Sequence, residues 1–336
     1  MQYKEALNLV LHGYYLAMAN LHVCTGWPLM EARNPDRFNA LFAEVAPPLS
    51  PISGAERANL LRAQMQRLSP NYPLAHCFAL EATVRQKGMF RRKAVITALA
   101  INEQGSAELL GIWLFDSPKL GFGTAREIEA AASVTQPFWQ TFVSDLRTRG
   151  VERIAACAAD LSIGIGNPAL LGFSEAIAAV YPATVIYPRL SALTAVRTFF
   201  SNAKIKADLT KVLLEGSADA ARERFTSVSG QWGDRNTAEI LVGAWNLIGP
   251  FFSFSVETRR MLLAVEAAIH NLERALESAA WDRGPVSEDE IALIRVRQDL
   301  NKQGRLLKKV VLPLAAIKQI EAEAERWAMR GRSNLS

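Results

Sequence analysis

Three consecutive apolar segments decide the fold of this chain: HCFALEATVR (76–85), KAVITALAIN (93–102) and ELLGIWLF (108–115). Each segment is short and rich in β-branched and aromatic residues, which is typical of β-strands. Short polar turns, Gln86–Gly88 and Glu103–Gly105, separate them. Because short turns join antiparallel neighbours, the sequence predicts a three-stranded antiparallel meander.

Helices and strands alternate after the meander. The pattern predicts helix, strand, helix and strand over Phe138–Gly150, Ile154–Ala159, Phe173–Val180 and Thr184–Tyr187. Three strands followed by this alternation favour an α/β fold with a ribonuclease-H-like core, in which a mixed five-stranded sheet is flanked by helices. Two segments, 117–137 and 163–172, are inserted. In the first, the stretch from Gly121 to Glu127 suggests a glycine turn into a capped helix, and the second is rich in glycine. Neither has the spacing of a phosphate-binding loop, so both are interpreted as surface loops.

The rest of the chain is predicted to be helical. Ser53 and Glu56 form a capping-box pattern that opens a helix to about Leu68, after the proline-rich linker 46–51. The predicted division is a helical N-terminal segment at 1–70, the core at 71–190, a helical insertion domain at 191–262 and C-terminal helices completing the core at 263–336.

Composition is that of an ordinary globular protein. Of its 336 residues, 50% are hydrophobic and 21% are charged, and the net charge of +5 suits either a polyanionic partner or a solvated basic surface. Cys24, Cys77 and Cys157 form no Cys-x-x-Cys pair, so the sequence predicts neither a zinc knuckle nor a disulfide framework, and a reducing cytosol fits best. Charged and polar residues interrupt the N-terminal apolar run, so no membrane span is expected.

Several motifs occur in one order along the chain. LGIW (110–113), DLRTRGV (145–151), GFSEAI (172–177) and AAIHNLERAL (267–276) are similar to L-G-L-W, D-L-x-x-R-G-V, G-F-P-E-A-I and N-A-I-E-S-L-N-R-x-L. These patterns resemble the Mutator-type bacterial DNA transposases over roughly 50–327. The resemblance implies a bacterial, cytoplasmic and nucleoid-associated protein that acts in DNA recombination and transposition.

The resemblance also implies a triad of acids. In such enzymes three carboxylates hold two Mg²⁺ ions, which cleave DNA and transfer strands. Here Phe78 occupies the first acid position, Asp160 the second and His270 the third. Glu81 and Glu266 are candidate metal ligands only if the acids have been displaced. Glu273, nearly one turn after His270, could also reach the site if the helix shifted. With one acid matched, we expect two-metal catalysis to fail and no cofactor to be required, with Mg²⁺ or Mn²⁺ needed only by an active protein.

Double-stranded DNA is the partner that the resemblance implies, and no membrane partner is expected. The basic residues expected to contact phosphates are Arg85, Arg91, Arg92, Lys93, Lys308 and Lys309. A homodimer and an assembly with an active transposase remain open. The predicted function is a catalytically inactive, transposase-like DNA-binding protein. The alternatives are an active transposase with displaced acids and a structural or oligomeric protein that no longer binds DNA.

Overall fold

A computed structural model describes residues 53–86, 89–115, 125–159, 168–189, 203–229, 248–283, 286 and 289–333. Five strands form one sheet in the order β3-β2-β1-β4-β5. They are β1 (Asn71–Gln86), β2 (Met89–Ile101), β3 (Ala107–Phe115), β4 (Arg153–Ala159) and β5 (Val185–Pro188).

The sheet is mixed. β1 pairs antiparallel with β2, and β2 pairs antiparallel with β3, which confirms the predicted meander. β1 pairs parallel with β4, and β4 pairs parallel with β5. β1 is therefore the central strand, and residues 72–78 within it are all buried. This explains its nearly continuous apolar sequence, because a strand covered on both faces has no solvent side to mark with polar residues.

Nine α-helices lie in the described residues, together with a 3₁₀ turn at Gly249–Ser253. They are α1 (Gly54–Met65), α2 (Ala125–Thr148), α3 (Pro168–Val180), α4 (Ala203–Leu213), α5 (Ala218–Ser229), α6 (Val256–Arg283), α7 (Asp289–Lys302), α8 (Gly304–Leu307) and α9 (Leu314–Ser333). The predicted capping box is present: Glu56 N–H donates to Ser53 Oγ, and Ser53 N–H donates to Glu56 Oε2.

Two helices are longer than the stretches predicted for them. α2 starts at Ala125, where a capped helix was expected after the glycines, and it runs through Pro137 into the helix predicted from Phe138. The alanine-rich stretch before Pro137 favours a helix, and it outweighs the one hydrogen bond that proline removes. α3 starts at Pro168, so residues 168–172 of the inserted loop 163–172 are helical too. Proline is well suited to a first helical position. The remaining parts of those loops, 117–124 and 163–167, lie outside the described residues.

Helices cover both faces of the sheet. On one face, Trp139 of α2 packs edge-on against Phe142, Phe138 and Phe173, and Trp113 of β3 lies 4.5 Å from Phe142. Strand register pairs Trp113 with Ile96 and Ile96 with Ala79. Since side chains alternate along a strand, Phe78 faces the opposite side, where α6 and α9 pack.

The C-terminal region is tied to the β2–β3 turn. Gly105 has φ +81, and its carbonyl accepts a hydrogen bond from Leu312 N–H at 3.0 Å. A side chain at this glycine would collide with the Leu312 carbonyl oxygen. The turn predicted at Glu103–Gly105 is thus confirmed, and glycine is required there both by φ and by the close approach.

The domain boundary expected at 262/263 falls inside the continuous helix α6. Arg259 of this helix is buried. Its guanidinium donates to the carbonyls of Leu213, Glu215 and Phe254 and stacks on Phe252 at 4.7 Å. The end of α4 is thereby fixed to the start of α6. Among the described helices, none combines the length and the apolar character needed to cross a membrane.

Candidate functional site at the acid-triad positions

Phe78 lies on the central strand at the first acid position and is fully buried. It pairs with Thr97 of β2, and its neighbour Cys77 pairs with Ala159 at the end of β4. The face of its ring is covered by the guanidinium of Arg189, whose carbon lies 5.2 Å from the ring centroid. This is cation–π geometry, and it occurs away from solvent, where such contacts are strongest.

Arg189 follows β5 directly. Its backbone N–H donates to the Ala159 carbonyl at 2.7 Å, which continues the β4–β5 pairing by one residue. The guanidinium then extends toward α6, where Nη2 donates to Glu273 Oε2 at 2.8 Å. The two side chains are only 1% and 11% exposed. A buried cation therefore joins the end of β5, the ring of Phe78 and helix α6.

His270, at the third acid position, lies beside the same carboxylate. Its Nδ1 is 3.6 Å from Glu273 Oε2, and its side chain is 37% exposed. It therefore sits at the rim of the buried pair. Glu273, nearly one turn later on the same helix, is the residue that pairs with Arg189.

The electrostatics favour an ionised Glu273. Burial acts to raise the pKa of this carboxyl. The hydrogen bond with His270 and the charge of Arg189 act against burial, and the net result is a lowered pKa. The carboxylate and the guanidinium thus compensate each other, as a buried ion pair must if it is to remain charged.

Two further polar groups are buried near this cluster. His76 is 1% exposed, and neither ring nitrogen has a hydrogen-bond partner among the described residues. Burial, followed by the charge of Arg189, lowers the pKa of His76 to about 3, so the ring is neutral. Glu266, one turn before His270, is 3% exposed. Burial first, then the Glu266 charge, raises the pKa of Tyr187 well above its usual range.

These residues do not fit a pair of divalent metal ions. Mg²⁺ prefers several carboxylate oxygens with near-octahedral geometry. The first acid position instead holds an aromatic ring, and a guanidinium occupies the space between that ring and α6. Within the described residues, no group of three or more His, Cys, Asp or Glu side chains is arranged to hold a metal. Glu273, whose carboxylate lies 3.6 Å from His270, is already paired with Arg189.

The other acid positions are located only in part. Asp160, the matched second acid, lies outside the described residues. Glu81 lies on β1 opposite Ala94 of β2, but its side chain is outside the description, so its candidacy as a ligand stays a prediction. Glu266 is buried against the side of the site that holds Tyr187.

The basic residues expected to contact DNA divide into three groups. Lys308 and Lys309 are exposed, directly after α8. The side chains of Arg85, Arg91 and Arg92 lie outside the description. Lys93 requires a correction, because its side chain is 1% exposed and its Nζ is 2.7 Å from Asp289 Oδ2 at the start of α7. Its ammonium is therefore not available to a phosphate in this structure.

Sequence reasoning named Glu273 only as an acid that could reach the site if the helix shifted, and it did not place Arg189 there. One signal was present in the sequence. The family pattern has a histidine after the fifth strand, and Arg189 stands near that position. An arginine in an otherwise apolar strand end indicates a buried partner, but only the packing of α6 identifies Glu273 as that partner.

A mixed α/β sheet that carries the first acid position on β1, with the third on the long helix α6, defines the class of the site. The family model described as "Transposase, Mutator family" matches residues 48–282. The chain therefore belongs to the Mutator family of transposases. The match includes α1 to all but the last residue of α6.

Individual relatives carry similar descriptions. The chain is 29% identical over 247 residues to the transposase for insertion sequence element ISRM3 of Rhizobium meliloti, and 28% identical over 247 residues to a probable transposase for an ISRM3-like element of Sinorhizobium fredii. Each alignment covers 71% of this chain and 55% of the relative. A probable insertion-sequence transposase of Corynebacterium diphtheriae is 24% identical over 252 residues, covering 73% of this chain and 66% of the relative. The chain thus spans about half the length of the first two relatives.

Proposed function

We propose that this chain is a transposase-like protein that binds double-stranded DNA and does not cleave it by two-metal chemistry. The observation that carries the proposal is the buried guanidinium of Arg189, held between Phe78 and Glu273. A fixed positive charge at this place repels a divalent cation. It also engages the carboxylate that such a cation would need.

The fold that we propose for this function is a ribonuclease-H-like core. Support comes from the strand order β3-β2-β1-β4-β5, with an antiparallel meander followed by two parallel strands. Further support comes from α6, which carries the third acid position and packs on the central strand. The domain division predicted from the sequence is part of the same proposal.

Binding to DNA is supported by family membership, the net charge of +5 and the exposed pair Lys308 and Lys309. Lysines that contact phosphates give affinity with little sequence preference, and that affinity falls as salt rises. A homodimer, or an assembly with an active transposase, would let such a protein act on transposition without cleaving DNA itself.

The test is a nicking and strand-transfer assay on labelled duplex DNA with Mn²⁺, comparing the wild type with Asp160→Ala. We expect no cleavage by either protein, and retention of the duplex at low salt. Cleavage that is lost in Asp160→Ala would overturn the proposal in favour of an active enzyme with displaced acids. Absent or salt-insensitive DNA binding would favour a purely structural or oligomeric protein.

A further inference from the structure

A small cleft lies away from the acid-triad positions, at the free edge of the sheet. Its walls are the end of α1 with Gln66, residues 108–112 of the edge strand β3, and Arg297 of α7. Its volume is about 150 Å³. Sites that enclose a drug-sized ligand measure roughly 300–1,000 Å³, so this cleft suits one small group rather than a whole nucleotide.

Arg149 is hydrogen-bonded to three of the residues that line the cleft. Its guanidinium donates to the carbonyls of Leu110 at 2.6 Å, Gln66 at 3.0 Å and Ala63 at 3.3 Å. Its Nη1 is also 3.3 Å from Asp145 Oδ2. Arg149 therefore fastens α1 to the free edge of β3, and its remaining positive charge acts on the cleft.

Arg297 differs from Arg149. Within the described part of the chain, its guanidinium has no hydrogen bond and no ion pair, although the side chain is half-buried. Burial, and after it the charge of Arg149, lowers the pKa of Arg297. Two guanidinium groups near each other, one of them without an anion, destabilise the folded chain unless something negative enters the cleft.

We propose that Arg297 binds a phosphate group of the DNA backbone in this cleft. A planar guanidinium matches two phosphate oxygens at once, and it is the side chain best suited to this contact. The inference rests on the proposed DNA-binding function. It also goes beyond family membership, because Arg297 lies outside the residues that match the family.

Glu108 limits how strongly the cleft attracts a phosphate. Its carboxylate also lines the cleft, and its Oε2 accepts a hydrogen bond from the Tyr72 hydroxyl at 3.0 Å. A negative charge here weakens the attraction for a phosphate and keeps the contact modest. Neutralising it by Glu108→Gln should therefore increase the affinity for DNA.

The experiment measures the affinity of the full chain for a labelled random-sequence DNA duplex over a range of salt concentrations. Arg297→Gln should weaken binding about tenfold at low salt. The same change should reduce the slope of log K against log salt concentration by about one, which is the contribution of one phosphate contact. Arg297→Lys keeps the charge but loses the planar guanidinium, so its affinity for DNA should lie between those of the wild type and Arg297→Gln.

Arg295→Gln is the matched control. Arg295 lies on the same helix and its Nη1 donates to Gln298 Oε1 at 2.8 Å, so it already has a partner. The same loss of one positive charge there should leave the salt dependence close to that of the wild type. An equal effect of both substitutions would reduce the role of Arg297 to net charge and overturn the inference.

A second readout separates binding from structure. Because Arg297 makes no ion pair among the described residues and the charge of Arg149 acts against its own, Arg297→Gln should leave the urea midpoint unchanged or raise it. A lowered midpoint would instead assign Arg297 a structural role and overturn the inference. Adding inorganic phosphate should raise the melting temperature of the wild type and not that of Arg297→Gln. Stabilisation by phosphate with no change in DNA binding would identify a free-anion site and reject the DNA contact.

The two proposals fail in different ways. A wild type that binds no duplex at any salt concentration would overturn the proposed function as a whole. A wild type that binds, with Arg297→Gln indistinguishable from it, would overturn only the contact at this cleft.

Discussion

Arg189 and Glu273 meet at 2.8 Å although 84 residues separate them in the chain. One residue follows the last strand of the sheet and the other lies in the middle of a long helix. Their contact is made beside Phe78, on the central strand. A compensated ion pair thereby occupies the place where the family resemblance expects a cluster of acids around metal ions.

The first prediction concerns the stability of this pair. Arg189→Met should lower the free energy of unfolding by about 3–5 kcal/mol, because it leaves a buried carboxylate without a cation. The double variant Arg189→Met with Glu273→Met should recover most of this loss, since it removes both charges together. Urea unfolding at neutral pH measures both effects.

Arg153 and Glu325 offer the matched control for this prediction. They form an ion pair of the same length, 2.8 Å, with side chains 36% and 51% exposed. Arg153→Met should change stability by less than about 1 kcal/mol, because water screens exposed charges. Equal losses in the buried and the exposed pair would contradict the account given for Arg189.

The second prediction concerns restored acids. Phe78→Asp with His270→Glu should still fail to bind Mn²⁺, because the guanidinium of Arg189 stays in place. Adding Arg189→His removes the fixed charge, and only this triple variant should be stabilised by Mn²⁺ in a thermal melt. If the double variant gains the same stabilisation, Arg189 is not what excludes the metal.

The third prediction follows from His76. Its pKa is lowered from 6.5 to about 3 in the folded chain, so between these pH values the unfolded chain binds a proton that the folded chain does not. The free energy of unfolding should therefore fall as pH decreases below about 6.5, by about 1.4 kcal/mol per pH unit for one proton. Glu273 adds a loss of the same sign, but below its ordinary pKa of 4.5.

His76→Leu tests this origin of acid sensitivity. It removes the titrating ring without leaving an unpaired polar group, and the slope of stability between pH 4.5 and 6.5 should flatten. Thr97→Val is the control. Thr97 is also buried, and its hydroxyl has no partner among the described residues, but it does not titrate in this range. Its substitution should shift stability equally at every pH.

The fourth prediction distinguishes exposed from buried lysines. Lys308→Gln with Lys309→Gln should reduce the steepness of the salt dependence of DNA binding by up to about two. Lys93→Met should leave it unchanged while lowering stability, since it leaves Asp289 without its buried ammonium partner. Titration of a labelled duplex, together with urea unfolding, measures both. If Lys93→Met does change the salt dependence, Lys93 belongs to the DNA-binding surface.

Much of the fold could be predicted from local patterns. The meander, the capping box at Ser53 and the turn at Gly105 depend on residues close together in sequence, and all three are confirmed. Helix continuity was less predictable. Pro137 signals a boundary in isolation, yet α2 runs through it.

The site was predictable only in part. Aligned motifs placed Phe78 and His270 at acid positions without any structure. Lys93 looked like a surface cation because it stands between basic neighbours and an apolar strand. Its burial depends on Asp289, which is 196 residues away.

The sequence by itself determined the family and the antiparallel meander, because these depend on residue identities and on their order along the chain. Tertiary structure alone decided which charges meet. The Arg189 guanidinium reaches Glu273 because α6 packs on the central strand, and among the described residues it is Arg149, not Arg297, that takes the backbone carbonyls of Gln66 and Leu110. Coulomb interactions depend on distance in space and on burial, and neither is encoded in local sequence.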